Sequence, residues 1–248
     1  MRRAALGLSI LAGIWLLGTW PPPVWWRDHW PRCTAMMRRA AEASGGRGSK
    51  PDEAACAGSR PISLADVAHP LQRMVVIGED SRFWTHHGID PTEIADALGL
   101  GQGRGVWTTM RTIWARRDRL RGASTITQQL AKNLYLSPSR NPLRKFRELI
   151  IARRLEAELP KARILELYLN VIEWGDGIYG AEAAARAYFH ESASDLDEAQ
   201  AALLAAAIIN PRVYSPAHPN GRLIRRQQLI LRRLGAVVEA DSRVQVPR

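Results

Sequence analysis

The chain is poor in three things. It has two cysteines in 248 residues, four lysines against thirty-one arginines, and almost no alternation of apolar and polar residues after residue 60. Two cysteines are too few for a disulfide scaffold, and a cysteine-built metal site would want more ligands. Without a period-two pattern there is no case for a β-sandwich or barrel, and a mainly α-helical domain is left. The glycines at 99, 101, 103 and 105 lack phosphate-loop spacing and read as flexibility, not a nucleotide cradle. Lysine scarcity is informative as well. Where arginine is the default cation, a retained lysine marks a position suited to a compact ammonium, and three of the four are Lys132, Lys145 and Lys161.

What is present begins with a net charge of +11, which favours an anionic partner: nucleic acid, phospholipid or a phosphorylated substrate. The N-terminus narrows that choice. Met1-Arg2-Arg3 precedes an uncharged apolar run from Ala4 to Trp20, then three prolines and the tryptophans at 25, 26 and 30. A bilayer-spanning helix needs about 17–25 residues, so the run suffices if its flanks contribute. The arginines hold the N-terminus in the cytoplasm and the tryptophans suit the far interface. No small-x-small cleavage site precedes the prolines, which argues against a cleaved signal peptide. The expected division is a cytoplasmic tail at 1–3, a transmembrane anchor at 4–20, a linker at 21–60 and a catalytic-size domain at 61–248. Cys33 and Cys56 bracket the Gly- and Ser-rich part of the linker and could form one disulfide in an oxidising compartment.

Helical periodicity runs through the domain. Apolar residues from Leu64 to Ile77 predict one helix over 63–78 with Ser63 as cap, delivering the acidic pair Glu79 and Asp80 at its end. Pro91 begins a short helix to about Leu98. Val106–Arg121 interleaves tryptophan with arginine, which suits an anionic membrane surface or an ordinary amphipathic helix. Thr125 and Gln128 fit a capping box, followed by the apolar stripe Ile126, Leu130 and Leu134, with Gln128, Gln129 and Lys132 on the opposite face. Such a helix start offers donors and positive potential to a phosphate or sugar, or is simply well capped. Asn141-Pro142 starts a helix with Leu143, Phe146 and Ile150 inward and Arg144, Lys145 and Glu148 outward or toward a cleft, where a plain surface ion-pair cluster also explains them. Further helices are expected over 161–170, 178–189, from Ser194 to Ile208, and over 223–234, with a Gly-containing loop at 173–177.

Five stretches in order carry a resemblance: Glu79-Asp-Ser-Arg-Phe-Trp-Thr-His86-His-Gly88; Gly122-Ala-Ser-Thr-Ile-Thr-Gln-Gln-Leu-Ala-Lys-Asn133; Arg144-Lys-Phe-Arg-Glu148; Ile164-Leu-Glu-Leu-Tyr-Leu-Asn170; and Tyr179-Gly-Ala-Glu-Ala-Ala-Ala-Arg-Ala-Tyr-Phe189. Over about residues 61–235 the chain closely resembles the monofunctional biosynthetic peptidoglycan transglycosylases of glycosyltransferase family 51. The resemblance implies a lysozyme-like helical domain that polymerises lipid II by inverting transfer of the growing glycan onto the 4-hydroxyl of the incoming sugar, releasing undecaprenyl pyrophosphate. It implies Glu79 as base and Glu148 as the second acid. Asp80, Phe83, His86, Ser124, Thr125, Gln128, Gln129, Lys132, Asn133, Arg140, Arg144 and Lys145 would bind substrate.

No cofactor is required by this reading, no protein metal site is expected, and a divalent ion, Mg or Mn, has room near the pyrophosphate. Expected partners are lipid II, the nascent strand, the membrane, and division or elongation proteins, with no nucleic acid. The expected location is the inner membrane, single-pass, with a periplasmic catalytic domain serving cell-wall biogenesis. Two features depart from the family pattern: Gly78 before the catalytic glutamate, and a longer Gly- and Arg-rich segment at 91–121. No Ser-x-x-Lys or Lys-Thr-Gly follows, so no transpeptidase domain is expected. Two other readings stand beside this one: a lysozyme-like glycan hydrolase with Glu79 as acid, and a non-enzymatic membrane-bound scaffold.

Overall fold

A computed structural model describes residues 18–45, 60–98, 124–136 and 142–244. The described chain is mainly helical. In order come α1 (Ala35–Gly45), α2 (His69–Glu79), α3 (Pro91–Leu98), α4 (Ile126–Tyr135), α5 (Pro142–Glu158), α6 (Lys161–Val171), α7 (Ala181–Phe189), α8 (Glu198–Ala207) and α9 (Gly221–Val244). A short antiparallel hairpin, β1 (Glu173–Gly175) with β2 (Ile178–Tyr179), lies between α6 and α7.

Two groups of helices build the core. α8 is apolar all round and buried from Ala201 to Ala207, as an interior helix must be, and it packs against α2 and α9. α4 packs against α5 and α6. Leu71, Met74 and Val75 of α2 and Ile126 and Leu130 of α4 are fully buried. Each large side chain of this kind contributes about 1.5–3 kcal/mol relative to exposure. The groups meet where α2 ends and α4 begins, which puts the acidic pair at their junction.

Several elements differ from the sequence expectation. The helix expected over 63–78 is a 3-10 turn, Leu64–Asp66, followed by α2. Pro70 explains the break, because it cannot donate within a continuous helix but is favourable in the first turn of a new one. Asp197, not Ser194, caps α8, in a reciprocal capping box with Gln200. The 173–177 loop is part of the hairpin, where Gly175 is needed because a Cβ there would lie 1.8 Å from the Tyr188 hydroxyl.

α5 shows the largest difference. Its buried stripe is Glu148, Ile151, Ala152 and Leu155, while Leu143 and Phe146, expected inward, are 60% and 53% exposed. That stripe follows the spacing of three and four residues, and Leu143 and Phe146 fall off it. The first turns of α5 therefore project past the core.

Much of the expected linker packs on the domain. Trp26 is buried, its indole donating to the Tyr135 hydroxyl, and that hydroxyl donates to Pro21 O at 2.9 Å. Arg147 and Arg154 of α5 donate to Gly18 O and Thr19 Oγ1 at 2.8 and 3.0 Å, and Met37 of α1 is buried against α4. Cys33 is in a disulfide; Cys56, its expected partner, lies outside the described residues. Among the described residues no helix is long and apolar enough to cross a membrane. Residues 1–17, which hold most of the expected anchor, lie outside them, as does the tryptophan- and arginine-rich segment 106–121.

Candidate active site

The acidic pair divides its labour. Asp80 ends α2, is buried, and ties three segments together. Its carboxylate accepts from His86 Nε2 at 2.9 Å and from the Ile126 amide, at the start of α4, at 2.9 Å. His86 Nδ1 accepts from the Gly88 amide at 3.2 Å, so Nε2 carries the proton that meets Asp80. Gly88 has φ +83°, and its carbonyl accepts from Thr125 Oγ1 at 2.8 Å. Thr125 in turn caps α4 by accepting from the Gln128 amide. The loop after α2 is thereby stitched to the helix that faces it.

Phe83 and His86, expected on the cleft wall, are buried beneath it. Phe83 is fully buried with the Lys161 ammonium 4.4 Å from its ring centroid. Asn133 is also structural, donating within its own helix to Gln129 O at 2.9 Å.

Glu79 faces a pocket of about 540 Å³ that Ser124, Thr125, Gln129 and Arg226 also line. Its Oε2 accepts from Gln129 Nε2 and its Oε1 from Arg226 Nη2, each at 3.0 Å. Gln129 is oriented in turn by the buried Tyr168 hydroxyl, which donates to its Oε1 at 3.0 Å. Burial pushes the Glu79 carboxyl above the ordinary carboxylate range, against the opposing pull of Gln129, Arg226 and Lys132. A carboxylate of that kind is a stronger proton acceptor near neutral pH.

Positive charge gathers near this pocket. Glu148, 3% exposed, accepts from Arg144 Nη1 at 2.8 Å and from Lys145 Nζ. Lys145 also reaches Ser124 Oγ at 3.0 Å and Gln128 Oε1 at 3.3 Å, joining α5 to the start of α4. Lys132 makes no hydrogen bond or ion pair among the described residues. Burial pushes its ammonium below the ordinary lysine range, with Arg144 and Lys145 acting the same way and Glu148 and Glu79 opposing. An unpaired, partly desolvated ammonium beside two further cations is suited to a departing phosphate. Arg140 lies outside the described residues. No three or more His, Cys, Asp or Glu side chains among the described residues gather as metal ligands.

The structure thus brings Glu79, Ser124, Thr125 and Gln129 to one pocket, with Lys132 within electrostatic reach of Glu79 and with Arg144, Lys145 and Glu148 around Lys132. Sequence reasoning missed Arg226, which reaches Glu79 across 147 residues of chain. No local signal distinguishes it from the neighbouring arginines of α9. Tyr168 sits in one of the five stretches, but its link to Gln129 depends on packing between α4 and α6.

Comparison with known proteins gives the family. A family model described as transglycosylase matches residues 53–235. The chain is 40% identical over 235 residues to a biosynthetic peptidoglycan transglycosylase of Thiobacillus denitrificans, covering 94% of this chain and 93% of the relative. It is 40% identical over 230 residues to the protein of that description from Methylobacillus flagellatus, covering 93% and 92%. With the one from Bordetella pertussis it shares 40% identity over 234 residues, covering 94% and 90%.

Proposed function

The chain belongs to the transglycosylase family, and from that premise we propose that it is a peptidoglycan glycosyltransferase, a hexosyltransferase that polymerises lipid II into glycan strands. Glu79 takes the proton of the acceptor 4-hydroxyl as that oxygen bonds to the anomeric carbon of the growing chain. The bond from that carbon to the lipid pyrophosphate breaks on the opposite face, so the configuration inverts and no covalent sugar-enzyme intermediate forms. Undecaprenyl pyrophosphate departs with its charge met by Lys132, with Arg144 and Lys145 behind it and Arg140 assigned to the same task by the family pattern. Glu148 orients those cations.

The observation that carries this reading is a pocket-lining carboxylate of raised proton affinity with an ammonium, unpaired among the described residues, within electrostatic reach of it. A hydrolase working on a neutral glycosidic oxygen has no use for the second. The rest of the proposal rests on the sequence: a lysozyme-like domain, a single-pass anchor at 4–20 in the inner membrane with the domain on the periplasmic side, and division or elongation proteins as partners. A divalent ion, Mg or Mn, would sit near the pyrophosphate and help to neutralise its charge.

The test is incubation of the purified protein with lipid II in detergent, followed by gel analysis with moenomycin as competitor. Moenomycin-sensitive polymer is expected. Failure to form polymer, with release of soluble fragments from purified cell wall, overturns the reading in favour of a hydrolase.

A further inference from the structure

A second concavity, of about 1030 Å³, adjoins the catalytic pocket. Ile77, Ser81, Glu93 and Arg233 line both, so the two are continuous. Its described walls are α2, the loop after it, α3 and α9; no residue of α4 or α5, which carry the cations for the leaving group, takes part. Its lining combines apolar Val76 and Ile77 with the cations Arg73 and Arg233. Trp84 is 55% exposed on this groove, and its ring meets the buried Phe83 edge-on at 4.9 Å, which fixes an open indole face. The acid in the lining, Glu93, is already paired with Arg82 at 2.9 Å.

The direction of the reaction decides what the groove faces. An inverting displacement puts the attacking and departing oxygens on opposite sides of the anomeric carbon. With the pyrophosphate on the α4–α5 side, the attacking sugar approaches from the α2–α9 side, where Glu79 Oε1 meets Arg226. We propose that this groove is the subsite for the acceptor's carboxylate-bearing peptide arm, with Trp84 stacking on the sugar that carries it and Arg73 and Arg233 pairing with the arm's carboxylates. This rests on the function proposed above. An exposed aromatic face binds the apolar face of a sugar, and a guanidinium suits a carboxylate through its planar donor fork. Arg73 and Arg233 are available for that pairing because no acid engages them among the described residues.

The experiment uses the full chain with a preformed glycan-lipid donor and varies the lipid II acceptor, with and without its peptide arm. Trp84→Ala and the pair Arg73→Gln with Arg233→Gln are compared with the unaltered protein, with thermal unfolding confirming that each folds. For intact lipid II the double arginine variant is expected to raise KM about tenfold, a loss of about 1.4 kcal/mol, with kcat within about twofold. For the armless acceptor it should match the unaltered protein, while Trp84→Ala should raise KM for both. Unchanged KM in the folded variants overturns the proposal, and so does an equal rise for both acceptors in the arginine variant. If the unaltered protein itself makes no polymer, the function has failed; if it polymerises and the variants do too without change, only the subsite has.

Discussion

Glu79 and Glu148 are buried to similar degrees, with side chains 11% and 4% exposed, yet their surroundings differ. Glu148 has a cation on each carboxylate oxygen, Arg144 on one and Lys145 on the other. Glu79 has one cation, Arg226, and one neutral amide, Gln129. Partners, not burial, separate their roles. A carboxylate with a cation on each oxygen anchors those cations and has no oxygen left to face a hydroxyl. One whose desolvation outweighs its partners holds a raised proton affinity and remains open to a hydroxyl.

Substitution at each side of the cleft breaks that contrast in a different way. Glu79→Gln has the largest expected effect, a loss of about 10²–10⁴-fold in polymerisation with the fold kept, since it deletes the proton acceptor. Substantial polymer from the folded variant would remove Glu79 from that role. A stability effect accompanies it. Because the folded carboxyl holds its proton more tightly than the unfolded one, its contribution is present at acid pH and is lost as pH rises through the raised pKa. Glu79→Gln should therefore be the more stable protein at pH 8, with the gap closing toward pH 4 in thermal unfolding.

Lys132→Ala comes next, expected to lower kcat/KM for lipid II by about 10²-fold, the scale for removing one preorganised donor to a developing charge. Unchanged kinetics would place the pyrophosphate elsewhere. Glu148→Gln should show mainly as stability, a loss of about 2 kcal/mol in denaturant unfolding. That is below the usual cost of breaking a buried pair, because Lys145 is 42% exposed and water screens it. If instead it abolished activity with stability unchanged, the anchoring role would be wrong.

The smallest change at optimum pH is expected from Arg226→Gln. Removing a charge that favours the Glu79 carboxylate raises its pKa further, so the acid limb of the kcat/KM profile should move to higher pH while the plateau is largely kept. Arg226→Lys should restore the limb. A uniform drop at all pH values would mean that Arg226 only supports packing.

Much of the site is legible in the chain itself. Thr125 as a cap, the stripe Ile126, Leu130 and Leu134, and the helix beginning at Pro91 follow from local spacing and appear as expected. Phe83 and His86 show the limit. Their place in the family pattern marked them as cleft residues, but the turn after α2 points them inward to brace Asp80 and the core. Leu143 and Phe146 fail for another reason: an apolar period gives a face, and which face meets the core depends on where the partner helix lies.

The sequence by itself determined the helical class, the Thr125 cap, and the order of the five stretches that name the family, because each depends on residues within a few turns of one another. Tertiary structure alone decided that Arg226 reaches Glu79, that Tyr168 orients Gln129, and that Glu148 is saturated while Glu79 is not. Those contacts join segments 39 and 147 residues apart as well as neighbours on one helix, and no periodicity records which helices will face one another. The proton affinity of Glu79 belongs to the second group, since burial and partners set it and residue type does not.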